Sequence, residues 1–100
     1  MSLALIVTPA ARQELEEAIA WYEAGCPGLG QNFKLEVKSA LDRAMALPQH
    51  FQQVHGSARR IRLRRFKKYG IYFAVKGNAF VVLSVFHGAR NPSELRRRLQ

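Results

Sequence analysis

Residues 59–92, RRIRLRRFKKYGIYFAVKGNAFVVLSVFHGARNP, decide how this chain folds. Apolar and basic residues alternate from Arg59 to Phe66: Arg60, Arg62 and Arg64 point one way, Ile61 and Leu63 the other. A period of two predicts a strand that is apolar on one face and charged on the other. The segment from Tyr69 to Val75 predicts a second strand with Tyr69, Ile71, Phe73 and Val75 on one side. Gly77-Asn78 marks a tight hairpin turn. Phe80 to Phe86 is apolar at nearly every position, as a strand buried on both faces should be. The stretch also holds nine of the sixteen basic residues, and Arg96, Arg97 and Arg98 follow it closely.

Working outward, residues 3–7 read as a short apolar strand expected to be covered on both faces. Thr8 can cap a helix and Pro9 suits its first turn. Ala11, Leu15, Ala18, Ile19 and Tyr22 then form one helical stripe, flanked by Trp21. Glu14, Glu16 and Glu17 are expected near the positive end of that helix dipole. Gly25, Pro27, Gly28 and Gly30 are expected to break the helix. Phe33, Val37, Ala40, Leu41 and Ala44 mark a second helix that closes at Leu47-Pro48, with Leu35 on its outer side. The short connection predicts an antiparallel helical hairpin. Residues 48–58 read as a loop, and Ser93 begins a last short helix. The resulting class is α+β: a helical hairpin on a small antiparallel sheet, in the order β-α-α-β-β-β with a short C-terminal helix, the first strand rejoining the sheet formed by the last three.

Length bounds the chain, residues 1–100, to one domain with one modest core. The lone Cys26 permits no internal disulfide, so a reducing, cytoplasmic setting is expected. No apolar run is long enough to span a bilayer, no membrane partner is expected, and the first residues lack the features of a signal peptide. His50, His55, His87 and Cys26 show no paired ligand spacing, so no metal is expected; without a phosphate-cradling glycine motif, no cofactor is expected either. The net charge is +9, with −2 in residues 1–50 and +11 in residues 51–100. Such segregation implies a polarised surface for an anionic partner, with Arg60, Arg62, Arg64, Arg65, Lys67 and Lys68 as the partner- or phosphate-binding candidates. The alternative is a solvated cationic face that serves only solubility.

The order and spacing of several elements resemble the ParE/RelE superfamily of bacterial toxins, the toxic halves of type II toxin–antitoxin modules, of the plasmid stabilisation type. The resemblance rests on Thr8-Pro9-Ala10-Ala11 with Leu15, Ile19 and Trp21-Tyr22; on Phe33, Val37 and Leu47-Pro48; and on Arg60, Phe66-x-x-Tyr69-x-Ile71-Tyr72 and Val85-x-His87-x-x-Arg90-x-Pro92. It implies a cognate antitoxin and one of two targets. RelE-like members cut mRNA on the ribosome; ParE-like members inhibit DNA gyrase.

RNA cleavage by a 2′-hydroxyl needs a base, charge on the phosphorane and an acid for the leaving oxygen. Under the RelE-like implication, His87, Arg90 and Arg60 are the catalytic candidates, since imidazole titrates close to working pH and arginine forks match phosphate. Tyr69 or Tyr72 would stack on a base. Each has a structural alternative: His87 as a hydrogen-bonded histidine at a strand end, the tyrosines as core aromatics, and Arg90 as an anchor of the chain end. The tail SELRRRLQ lacks the tyrosine common in nuclease members, and Glu94 is the only carboxylate in the basic half. Both departures favour the ParE-like branch. A family member that retains only partner binding is the third reading.

Overall fold

The computed structural model describes residues 3–99. The chain runs β1 (Ala4–Val7), α1 (Pro9–Gly25), α2 (Leu29–Ala46), β2 (Gln53–His55), β3 (Ala58–Arg62), β4 (Tyr69–Lys76), β5 (Ala79–His87) and α3 (Pro92–Leu99). The five strands form one sheet in the order β1-β5-β4-β3-β2. Strands β2 to β5 are antiparallel to their neighbours, and β1 rejoins the sheet parallel to β5, so the sheet is mixed. The α+β class, the helical hairpin and the short last helix follow the expected order.

Local chemistry explains the boundaries. The Thr8 hydroxyl accepts the Ala11 N–H at 3.2 Å, and Pro9 occupies the first turn of α1. At the other end of the hairpin, the Glu23 carboxylate accepts the N–H groups of Gly28 and Gly30, satisfying donors that open α2. Gly77 alone takes a positive φ, +61°, in the two-residue turn between β4 and β5; this is the type II′ pattern, whose twist matches the flanking strands.

The main core lies between the hairpin and one sheet face. Ala11, Ala18, Phe33, Val37, Ala40 and Ala44 from the helices meet Ile61, Ile71, Phe73, Phe80, Val82 and Val85 from the strands. Small residues on the buried faces let the helices lie close to the sheet. Phe73 and Phe80 stack with ring centres 4.4 Å apart.

Five details differ from the sequence reading. Strand β1 is an edge, not a covered strand: Leu5 and Ile6 are each 48% exposed. The segment read as a loop contains a 3₁₀ turn at Pro48–His50 and the short edge strand β2, which returns through Gly56-Ser57 to β3. Strand β3 ends at Arg62 rather than Phe66, because Leu63 and Phe66, three residues apart, both turn into the core, a spacing that strand alternation cannot supply. Strand β4 runs one residue past Val75, to Lys76. Gly30 is not a breaker: it lies within α2, close against Ile19 and Glu23 of α1.

A methyl group at Gly30 would stand 2.6 Å from the Ile19 carbonyl oxygen and 2.9 Å from Glu23 Cβ. Gly30→Ala should therefore push the helices apart and cost about 1–3 kcal/mol despite alanine's better helix propensity. Urea denaturation measures this; an unchanged or raised midpoint would refute the tight crossing.

Candidate functional site

Residues 63–68 form the bend between β3 and β4. Leu63 and Phe66 anchor it inward, which leaves Arg64, Arg65, Lys67 and Lys68 exposed around them. The Arg65 N–H donates to both carboxylate oxygens of Glu36, at 3.3 and 3.1 Å, and ties the bend to α2. Beneath it, Tyr22, Phe33, Phe66 and Tyr69 pack with ring centres 4.8 to 6.0 Å apart. Burial pushes the phenols of Tyr22 and Tyr69 above their ordinary range, so neither serves as a base at neutral pH.

Two clefts flank this bend. On the helical side, a cleft of about 620 Å³ is lined by Trp21, Tyr22, Arg65, Lys67, Lys68 and His87, among others. On the other side, a cleft of about 390 Å³ includes Arg60, Arg62, Lys67, Lys68, Tyr72 and Phe86. Lys67 and Lys68 border both. Arg64 is exposed on the bend outside either cleft.

The sequence candidates thus separate by sheet face. Tyr69 pairs with His87 on the helical face, whereas Arg60 pairs with Tyr72 and Arg62 with Gly70 on the opposite face. Arg60 Nη2 donates to Gln52 Oε1 at 3.3 Å. His87 Nδ1 accepts the Ala89 N–H at 3.0 Å, and its ring stands edge-on to Tyr69 at 4.9 Å. Tyr72 is buried and folds over Gly70, where a Cβ would meet its ring at 3.3 Å.

Arg90 belongs to another constellation. Its Nη1 donates to Glu14 Oε2 at 2.9 Å, its Nη2 to Glu94 Oε2 at 2.8 Å, and its guanidinium lies 4.9 Å from the centre of the Phe86 ring. Arg98 forks onto both oxygens of Glu14 at 3.0 Å and also donates to the Leu83 carbonyl. Ser84 Oγ and the Val85 N–H complete the shell at 2.9 and 3.0 Å. Glu14 is only 8% exposed. Burial alone would raise its carboxyl, but Arg98, the Val85 N–H and Ser84 outweigh that and hold it below the usual carboxylate range. The Glu94 hydrogen bond, helped by Glu14, raises Arg90.

A family model described as the ParE toxin of the type II toxin–antitoxin system, parDE, matches residues 5–92. The chain belongs to the ParE toxin family. Among solved structures, the chromosomal ParDE toxin–antitoxin system from P. aeruginosa aligns with a TM-score of 0.75 at 16% identity, over 86% of this chain and 96% of that one. At that identity the likeness speaks for the fold. No curated protein matches. Among the described residues, no helix is long and apolar enough to cross a membrane, and no group of three or more His, Cys, Asp or Glu side chains is placed to hold a metal.

In this ParE-family chain the residue that sequence reasoning misplaced is Glu14. It is expected, with Glu16 and Glu17, near the positive end of the helix dipole; it lies instead beyond the first turn as the buried acceptor of five hydrogen bonds. A signal existed: position 14 falls between Ala11 and Ala18 on the buried stripe, where a carboxylate is out of place unless partnered.

Glu14→Gln should cost about 2–3 kcal/mol, toward the low end for a broken buried pair because both arginines can rehydrate. For a domain of this size that lowers Tm by roughly 10–20 °C. Because Glu14 is depressed in the folded state, its contribution is fully present above the unfolded value of about 4.3 and is lost as pH falls through the folded value. Calorimetry from pH 7 to 3 should therefore show a steeper acid loss in the wild type than in the variant; parallel curves would exclude this role.

Proposed function

We propose that this chain is the toxin of a type II module, arresting growth through DNA gyrase and neutralised by a cognate antitoxin. The observation that carries the reading is the engagement of Arg90. Both of its terminal nitrogens are committed to carboxylates, Glu14 and Glu94. Of the other nuclease candidates, His87 borders a small depression with Arg90, but Arg60 stands on the sheet face opposite His87. Acid–base cleavage requires a reacting atom within about 3 Å of its donors, and a set split between opposite sheet faces does not frame one. The exposed cations suit recognition of an acidic surface by charge, which needs no such convergence. The neutralising antitoxin is proposed to shield the same cations, Arg60, Arg62, Arg64, Arg65, Lys67 and Lys68.

One observation favours the RelE-like reading: His87 lines a cleft together with Arg65, Lys67 and Lys68, a potential acid beside phosphate-binding groups. The two readings separate directly. Purified toxin should inhibit a gyrase supercoiling reaction and leave mRNA intact in a translating extract. Truncated mRNA with unimpaired supercoiling would reverse the assignment.

His87→Gln should leave gyrase inhibition within about twofold, whereas a loss of a hundredfold or more, the scale of general acid–base catalysis, would favour the nuclease. Arg62→Ala with Arg64→Ala should weaken antitoxin binding about five- to tenfold at low salt, as loss of two exposed charges does. Isothermal titration calorimetry measures it, and unchanged affinity and toxicity would remove these arginines from the interface.

A further inference from the structure

Trp21 is the chain's only tryptophan, and it is 72% exposed. Its indole borders three adjoining depressions: the helical-side cleft of about 620 Å³, a shallower one with Tyr22 and Leu29, and a small one with Glu14, Glu17 and His87. The fold does not need this ring: the main core closes without it. Across the largest cleft stand Arg65, Lys67 and Lys68. Among the described residues, the side chains of these three make no ion pair and no hydrogen bond.

We propose that this cleft binds a nucleobase together with its attached phosphate, the base stacked on Trp21 and the phosphate held by Arg65, Lys67 and Lys68. The proposal does not depend on which target the toxin has. A flat aromatic face beside cations offers the two contacts a nucleotide presents at short range, a π-face and a phosphate. The volume accommodates a nucleotide, since small-molecule sites span roughly 300–1,000 Å³. A purely acidic peptide would satisfy the cations and leave the indole uncovered, whereas a nucleotide carries the flat face and the charge in one small group. Charge also sets the orientation. Glu17 lies one turn before Trp21 on α1 and disfavours phosphate on that side, whereas Glu14 beyond it is buried and paired with Arg90 and Arg98; the three cations of the bend are the stronger attractor. His87, at the junction of the two depressions, faces the bound group without being required for its capture.

Trp21 is its own reporter. Its fluorescence should be quenched saturably by a single-stranded hexadeoxynucleotide, and the affinity should fall with added salt. Titration with adenosine monophosphate is the second arm: comparable saturation identifies a free nucleotide as sufficient, whereas quenching by the oligonucleotide alone identifies a strand; both support the cleft. Affinity for a dye-labelled hexamer, followed by anisotropy, should fall at least fivefold in Trp21→Leu, and likewise in Lys67→Gln with Lys68→Gln. Arg43→Gln, at the far end of α2, removes a charge without approaching the cleft and should change affinity less than twofold. Because Trp21 is exposed, its replacement should leave the denaturation midpoint in place. Absence of quenching by either nucleic-acid probe would overturn the proposal. So would equal affinity for a glutamate hexapeptide with no effect of Trp21→Leu, which would assign the cleft to an acidic protein segment.

Discussion

A carboxylate from the acidic half of the chain holds the basic half in place. Strand β1 accompanies β5 only as far as Val82, and there the chain turns into α1. Beyond that point β5 would present unpaired backbone groups at a sheet edge, a costly arrangement where water is excluded. Glu14, one turn and a half into α1, takes the Val85 N–H, and Arg98 takes the Leu83 carbonyl. The ion pair substitutes for the strand that has departed. Because the same carboxylate receives Arg90 and Arg98, it also fixes the path of residues 90–98, whose helix buries no residue of its own among those described. Such a cluster adds little net stability compared with apolar packing, but it admits one arrangement of α1, β5 and α3 and makes the alternatives expensive.

The cationic bend follows from an equally local constraint. Leu63 and Phe66 must both reach the core, so the chain leaves strand geometry at Arg62. The residues between and after those anchors then have nowhere to go but outward. Four cations in six residues repel one another, and their solvation and the Debye screening of ordinary salt make this tolerable. A partner that neutralised them would gain from relieving that repulsion. The aromatic group of Tyr22, Phe33, Phe66 and Tyr69 gives the bend a rigid floor, so the charges are presented from fixed positions rather than from a floppy loop.

Periodicity made most of the architecture legible. Both helical stripes, the Thr8-Pro9 start, the Gly77-Asn78 turn and the buried β5 are local signals, each encoded within a few residues. What escaped was non-local. The parallel docking of β1, the close crossing at Gly30 and the burial of Glu14 depend on residues far away in the chain; Ser84, Arg90 and Arg98 lie 70, 76 and 84 positions from Glu14. The basic bend was visible as composition, but its departure from the sheet was not, since alternation continues through Arg64 in the sequence while the backbone turns. Trp21 was seen only as a flank of the helical stripe, because a helical projection records direction and not what stands across a cleft.

The placement of Arg90 bears on which chemistry this fold can support. For Arg90 to stabilise a phosphorane it would have to exchange Glu14 or Glu94 for phosphate oxygens. Releasing Glu94 is inexpensive, because that pair is exposed and worth at most about 1 kcal/mol. Releasing Glu14 is not, because a buried carboxylate would lose one of its two cations. A rotation that kept Nη1 on Glu14 and freed Nη2 would still present the paired Nη2–Nε edge to phosphate, so Glu94 is the partner that would have to yield. Arg90 is tied to the same carboxylate that closes the sheet edge. The charge without a hydrogen-bonded partner among the described residues lies instead on the bend, where it faces the indole of Trp21 across the cleft.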